Sequence, residues 1–191
     1  MRRIPVLVCL LAVALAPAAR PAEPVDNPEP APVLRTSATP AQLEAAIFAE
    51  TNRVRRAHHC RPLRPLPELA AAAADQASYM ALMHRAEHQN VLRDQNDVLE
   101  RVLRHGLRPA EVAENVASQP AVHDGRAATA EEMAASLVDA WMHSPGHREN
   151  LLSRKFTHLG CAARVVAALG RTEFVFGAQV FASLPSNLTE Y

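Results

Sequence analysis

The hydrophobic period of this chain changes once, near residue 153, and that change limits the folds open to it. Before it, apolar residues recur at helical spacing. Thr39-Pro40 opens a first helix with Leu43, Ile47, Val54 and Ala57 on one face. A second runs from about Glu68 through Leu69, Ala73, Ala77, Met80 and Met83. A third, about Gln95 to His105, carries Val98, Leu99 and Val102 and stops at Gly106, a natural C-cap. Thr129-Ala-Glu-Glu132 reads as a capping box opening a fourth, with Met133, Leu137, Ala140 and Trp141 on its buried face. Beyond residue 153 the period is two. Residues 159–168 and Glu173 to Phe181 are strand-like runs joined through Leu169-Gly170-Arg171, a hairpin signal. In the second run Phe174, Phe176, Ala178 and Val180 share one face, and Val175, Gly177, Gln179 and Phe181 the other. Both faces carry apolar residues, so the sheet is expected to be covered on both sides. Helices followed by a small antiparallel sheet predict a layered α+β domain.

The N-terminus reads as an address. Arg2-Arg3, an apolar stretch from Ile4 to Ala16 and a small-residue zone ending at Ala22 form a secretory signal over residues 1–22. The apolar stretch is too short to span a bilayer. Residues 23–38 are Pro-rich and acidic and read as a spacer. The domain is expected over 39–185, with a tail at 186–191, in a monomeric, secreted or periplasmic protein. Cleavage removes Arg2, Arg3 and Arg20 from the 20 basic residues and none of the 20 acidic ones, leaving a slightly acidic chain. No basic field for nucleic acid follows. Cys60 and Cys161 survive cleavage, and export to an oxidising compartment makes them a disulfide candidate, the alternative being two buried thiols.

Chemistry concentrates in the stretch from Trp141 to Leu152. Ser144-Pro145 restarts the chain as N-cap and first helical residue, which puts His147 in the first turn of a short helix. The helix dipole there favours a neutral imidazole able to coordinate or hydrogen-bond. Three constellations are open. His84-Arg-Ala-Glu87-His88 matches the inverted zinc-peptidase pattern, two histidines four apart with a glutamate as general base. Ser144, His147 and Glu114 form a Ser-His-Glu set, although Ser144 is already the N-cap. His88, Glu114 and His147 come from three segments. If they converge, two imidazoles and a carboxylate suit Zn²⁺ or another divalent ion with an open fourth position.

Several segments together resemble the CAP superfamily, the SCP-like domain of secreted proteins, in its bacterial form. They are Asn52-Arg53-Val54-Arg55, Pro62-Leu63 with Leu69-Ala-Ala-Ala-Ala, Met80 with His88, Glu100-Arg101 with Gly106-Leu107, and Glu114-Asn115-Val116-Ala117. The stretch Trp141 to Leu152, Phe156-Thr-His-Leu-Gly160 and Phe176-Gly-Ala-Gln-Val-Phe181 complete the order, over about residues 40–183. The resemblance implies a three-layer α-β-α sandwich with a surface cleft. Its cleft histidines fall on His88 and His147 and its first cleft glutamate on Glu114, with Asn115, Ser144 and Arg148 in support. Animal members carry a second glutamate three residues after the tryptophan; here that residue is Ser144, so the cluster is incomplete. The run Ala86-Glu87-His88-Gln89-Asn90 also departs from the family's Phe-Ser-His followed by glycine, which leaves His84 as a local substitute.

The resemblance carries over no shared reaction. It implies a cleft that holds a divalent metal, or a module for a lipid or small apolar ligand, or contact with a cell-envelope component. Aromatic residues make up only 4% of the chain, so Met80, Met83 and Met142 are what can line an apolar groove. Arg53, Arg55, Arg56, Arg61 and Arg64, with His58 and His59, form a basic run that can meet anionic polymers or headgroups, or simply face solvent.

Overall fold

Thr39 begins the first helix with a reciprocal cap: its hydroxyl accepts from the Gln42 amide, and its own amide donates to the Gln42 side chain at 2.8 Å. Pro40 follows at the first position of α1 (Pro40–Ala57). In the computed structural model, which describes residues 35–91, 97–167 and 172–185, α1 precedes a short strand β1 (Arg64–Pro65), α2 (Pro67–Met83) and α3 (Val98–Arg104). A long strand β2 (Glu111–Pro120) and a small hairpin, β3 (Val122–His123) and β4 (Arg126–Ala127), come next. α4 (Ala130–His143), α5 (Pro145–Leu152), β5 (His158–Ala167) and β6 (Glu173–Ser183) end the order. The expected signal at 1–22 and tail at 186–191, and the turn Leu169-Gly170-Arg171, lie outside the described residues.

The main sheet has the order β1-β5-β6-β2. β5 and β6 pair antiparallel, as the hairpin pattern predicts, and β2 pairs antiparallel with β6 from Glu111↔Ser183 to Pro120↔Phe174. β1 adds a parallel edge of two residues, so the sheet is mixed. The alternation in β6 holds. Phe176, Ala178 and Val180 pack with Leu69, Ala73, Ala77 and Met80 of α2, while Val175 and Phe181 pack with Leu43 and Ile47 of α1 and Leu137 and Trp141 of α4. The result is helix, sheet, helix. A Cβ on Gly160 would lie 2.1 Å from the backbone of Leu69 and Ala70, so α2 rests directly on β5.

Several sequence expectations change. The buried face of α1 also takes in Thr51, Asn52 and Arg55, because these polar side chains find internal partners; Val54 is only partly buried against the core and Ala57 is exposed. Asn52 exchanges two hydrogen bonds with the Leu63 backbone (3.1 and 2.8 Å), and Thr51 accepts from Gln179 at 2.5 Å. Met83 of α2 and Leu99 of α3 are exposed rather than buried. α3 starts at Val98 under an Asp97 cap; Gln95, where the pattern begins it, lies outside the described residues. β2 and the Asp124-Gly125 hairpin were not predicted; both turn residues have positive φ (47° and 76°), which fits a tight hairpin. Cys60 and Cys161 are free, buried thiols, not a disulfide. They face different surroundings. The Cys60 sulfur lies 3.3 Å from the Leu152 carbonyl, whereas Cys161 sits in β5 beside Glu44 and Phe48, where burial pushes its thiol pKa up.

Candidate functional site

The site straddles the β2 edge of the sheet. Val112, Glu114 and Val116 point to the α2–α3 side; Ala113, Asn115 and Ala117 point to the side of α4 and α5. Glu114 therefore reaches one side and Asn115 the other, and the cleft groups gather around the strand between them.

Glu114 is buried, its side chain 3% exposed. Oε1 accepts from the fully buried Arg101 guanidinium of α3, and Oε2 lies 3.0 Å from His88 Nδ1. His88 stands on the segment after α2. That helix ends because His84 takes the left-handed conformation (φ 51°) as C-cap, and the Gln76 amide then donates to the Glu87 carbonyl, holding the segment against α2. The His88 side chain is 55% exposed, so it leans from bulk solvent onto a buried carboxylate.

His147 arrives from the other side, its ring centroid 5.7 Å from that of His88. Asn115 fixes it by donating to the His147 carbonyl at 3.0 Å. Asn150 donates both to the Asn115 side-chain oxygen (3.0 Å) and to the Glu114 carbonyl (3.2 Å), so α5 is stitched to β2. Partial burial, then the neighbouring His88, lower the His147 pKa below 6.5, while Glu114 opposes them. The direction is the one expected of a neutral imidazole, with desolvation as its largest cause.

The structure thus brings His88, Glu114, Asn115 and His147 together. Ser144 occupies the N-cap position of α5 but makes no side-chain cap bond, and no hydrogen bond joins it to His147 among the described residues. That removes the relay a Ser-His-Glu set needs. Among the described residues Arg148 is tied only by the first helical bond of α5, its amide donating to the Ser144 carbonyl at 2.8 Å. The inverted zinc-peptidase pattern loses its helix at Met83, so His84 and His88 do not share a helical face. Glu87 pairs with Arg85 at 2.6 Å.

Sequence reasoning missed the supporting groups Arg101, Asn150 and Gln179. Arg101 carried one overlooked signal: it falls a single turn after the Asp97 cap, next to Val102, on the side that a seven-residue helix must bury.

As ligands, the three expected residues do not stand equal. Both Glu114 oxygens are engaged, and among the described residues no three His, Cys, Asp or Glu side chains are placed to hold one ion. The two imidazoles fit better. A carboxylate on His88 Nδ1 fixes the proton there and leaves Nε2 as the acceptor, the usual arrangement behind a metal-bound histidine.

The family model described as CAP, cysteine-rich secretory protein family, matches residues 48–179. Among solved structures, the chain is similar to an extracellular protein containing an SCP domain from Bacillus anthracis str. Ames. The identity is 24% and the TM-score 0.57, over 75% of this chain and 41% of that one. It is also similar to an outer surface protein from Borrelia burgdorferi (14% identity, TM-score 0.57, 75% of this chain and 94% of that one). A third is a cysteine-rich secretory protein from Staphylococcus aureus subsp. aureus Mu50 (18% identity, TM-score 0.50, 76% of this chain and 39% of that one). The chain spans about two fifths of the Bacillus and Staphylococcus proteins, and at these identities the likeness is one of fold. No curated protein matches it in sequence.

Proposed function

Because the chain belongs to the CAP family of cysteine-rich secretory proteins, we propose that it acts outside the cytoplasm as a binding protein whose cleft takes a divalent ion on His88 and His147. The signal-like residues 1–22 support export, and the described residues hold no helix long and apolar enough to cross a membrane. The extracellular and outer-surface character of the Bacillus and Borrelia proteins agrees with it.

One observation carries the reading: His88 rests on the buried, Arg101-anchored Glu114 at 3.0 Å while facing His147. The Glu114 carboxylate orients the His88 ring through Nδ1 and leaves Nε2 on the open side, and burial favours the neutral form of His147. On this reading Glu114 positions His88, and the ion rests on the two imidazoles. A bound Zn²⁺ would supply a Lewis acid with positions left for water or a ligand.

Zn²⁺ titration of the full chain by calorimetry tests this. Binding should vanish in His88→Ala and His147→Ala, survive His84→Ala, and weaken about 10–100-fold in Glu114→Gln. A wild-type chain that takes up no Zn²⁺ sinks the proposal.

A further inference from the structure

At the opposite edge of the sheet from Glu114, where β1 ends the order, lies a cavity of about 570 Å³. Its charge is one-sided. Arg55, Arg61, Arg64 and Arg154 line it with His59 and His158, and no carboxylate does. Some arginines outside it do find acids: Arg53 pairs with Glu50, Arg126 with Glu132, and Arg164 with Glu44. The side chains of Arg61, Arg64 and Arg154, all on exposed residues, make no ion pair among the described residues.

Arg55 is the unusual member. It is 1% exposed, and its donors go to the carbonyls of Arg61 (2.9 Å), Leu151 (2.7 Å) and Ser153 (2.9 Å). These dipoles satisfy the hydrogen bonds without balancing the charge. Repulsion is felt at the rim, where burial first and Arg64 second hold the His158 imidazole below its ordinary pKa. The three outer guanidinium groups come from separate segments: the loop after α1, β1, and the residues after α5. Gathering them without an acid costs stability, and such a cost is characteristic of sites built for a ligand.

We propose that this cavity binds phosphate-bearing ligands, with Arg61, Arg64 and Arg154 grasping phosphate oxygens and Arg55 supplying a fixed positive field behind them. The guanidinium fork matches the oxygens of a phosphate in paired hydrogen bonds. The volume falls within the range of small-molecule sites, larger than one phosphate needs. Phe156 and Pro62 give an apolar wall and Thr157 a hydroxyl, which suits a phosphate carried on an organic body. Both a soluble phosphorylated compound and a lipid headgroup present this chemistry.

The test uses the full chain with two probes: inorganic tripolyphosphate in a calorimeter, and vesicles of phosphatidylglycerol with phosphatidylcholine against phosphatidylcholine alone. Each of Arg61→Gln, Arg64→Gln and Arg154→Gln should weaken binding about tenfold, and the triple variant should abolish it. Arg56→Gln removes one positive charge from the end of α1, outside the cavity, and should change nothing. Melting temperatures should not fall, and should rise slightly in the triple variant as the repulsion among the exposed guanidinium groups is relieved. Tripolyphosphate binding lost in the triple variant supports a soluble phosphorylated ligand. Phosphatidylglycerol-dependent vesicle binding lost in the triple variant supports a headgroup. Binding to neither probe, binding retained by the triple variant, or an Arg56→Gln loss equal to the others overturns the site. Zn²⁺ uptake by the triple variant should match the wild type, so this outcome and that of the cleft are read separately.

Discussion

Glu114 has its two oxygens committed to different partners, Oε1 to Arg101 and Oε2 to His88, and its charge is also felt at His147. Of the three influences on His147, only Glu114 favours the imidazolium; burial and His88 oppose it. In Glu114→Gln the His147 pKa should therefore fall further below 6.5, which an NMR titration of the ring protons reads directly. The sign for stability follows. Because the folded pKa is depressed, the unfolded chain binds more protons below pH 6.5, so His147 costs stability as pH falls through that window and nothing above it. The two buried arginines show where residue-level reading stops. Arg55 belongs to a basic run that looks solvated, and Arg101 to a short helix in which charged and apolar residues alternate in blocks. Apolar periodicity cannot register a cation that is buried because carbonyls or a carboxylate await it.

At the scale of elements, α1, α2, α4, α5 and the β5–β6 pair were legible because caps and periods agree there. Thr129 closes the reciprocal cap its sequence announces, and Thr39, expected only to open its helix, closes one as well. β2 was not legible: the alanines and the Glu114-Asn115 pair at its centre interrupt any apolar alternation, since those two positions serve the cleft. The convergence of His88, Glu114 and His147 came from resemblance to a family, not from spacing. The disulfide expectation failed because compartment chemistry says nothing about where two sulfurs face. The contact of α2 with β5 yields a sharp prediction. In Gly160→Ala the new methyl group meets backbone 2.1 Å away, which no rotamer relieves, and the loss should reach about 3 kcal/mol in urea unfolding. Gly177→Ala meets the Leu137 side chain at 2.7 Å, which can turn aside, and should cost about 1 kcal/mol.

For the whole molecule, the chain before α1 is already tied down. The Thr36 amide donates to the Glu173 carboxylate at the start of β6 (2.8 Å), and its hydroxyl donates to the Ala128 carbonyl (2.9 Å). A chain begun at residue 39 should be less stable than one begun at 35 by about 2 kcal/mol, visible as a Tm lower by several degrees. A larger arrangement follows from α5, which buries only Leu151. Asn115 and Asn150 hold it to β2 near His147; Arg55 grips the Leu151 and Ser153 carbonyls at its other end. It is a strut about 12 Å long, pinned at both ends and lightly glued along its length. Such a strut does not absorb a push; it passes it on. One helix thus carries a cleft imidazole near its first turn and, at its last, the carbonyls that hold a buried arginine on the far side of the molecule.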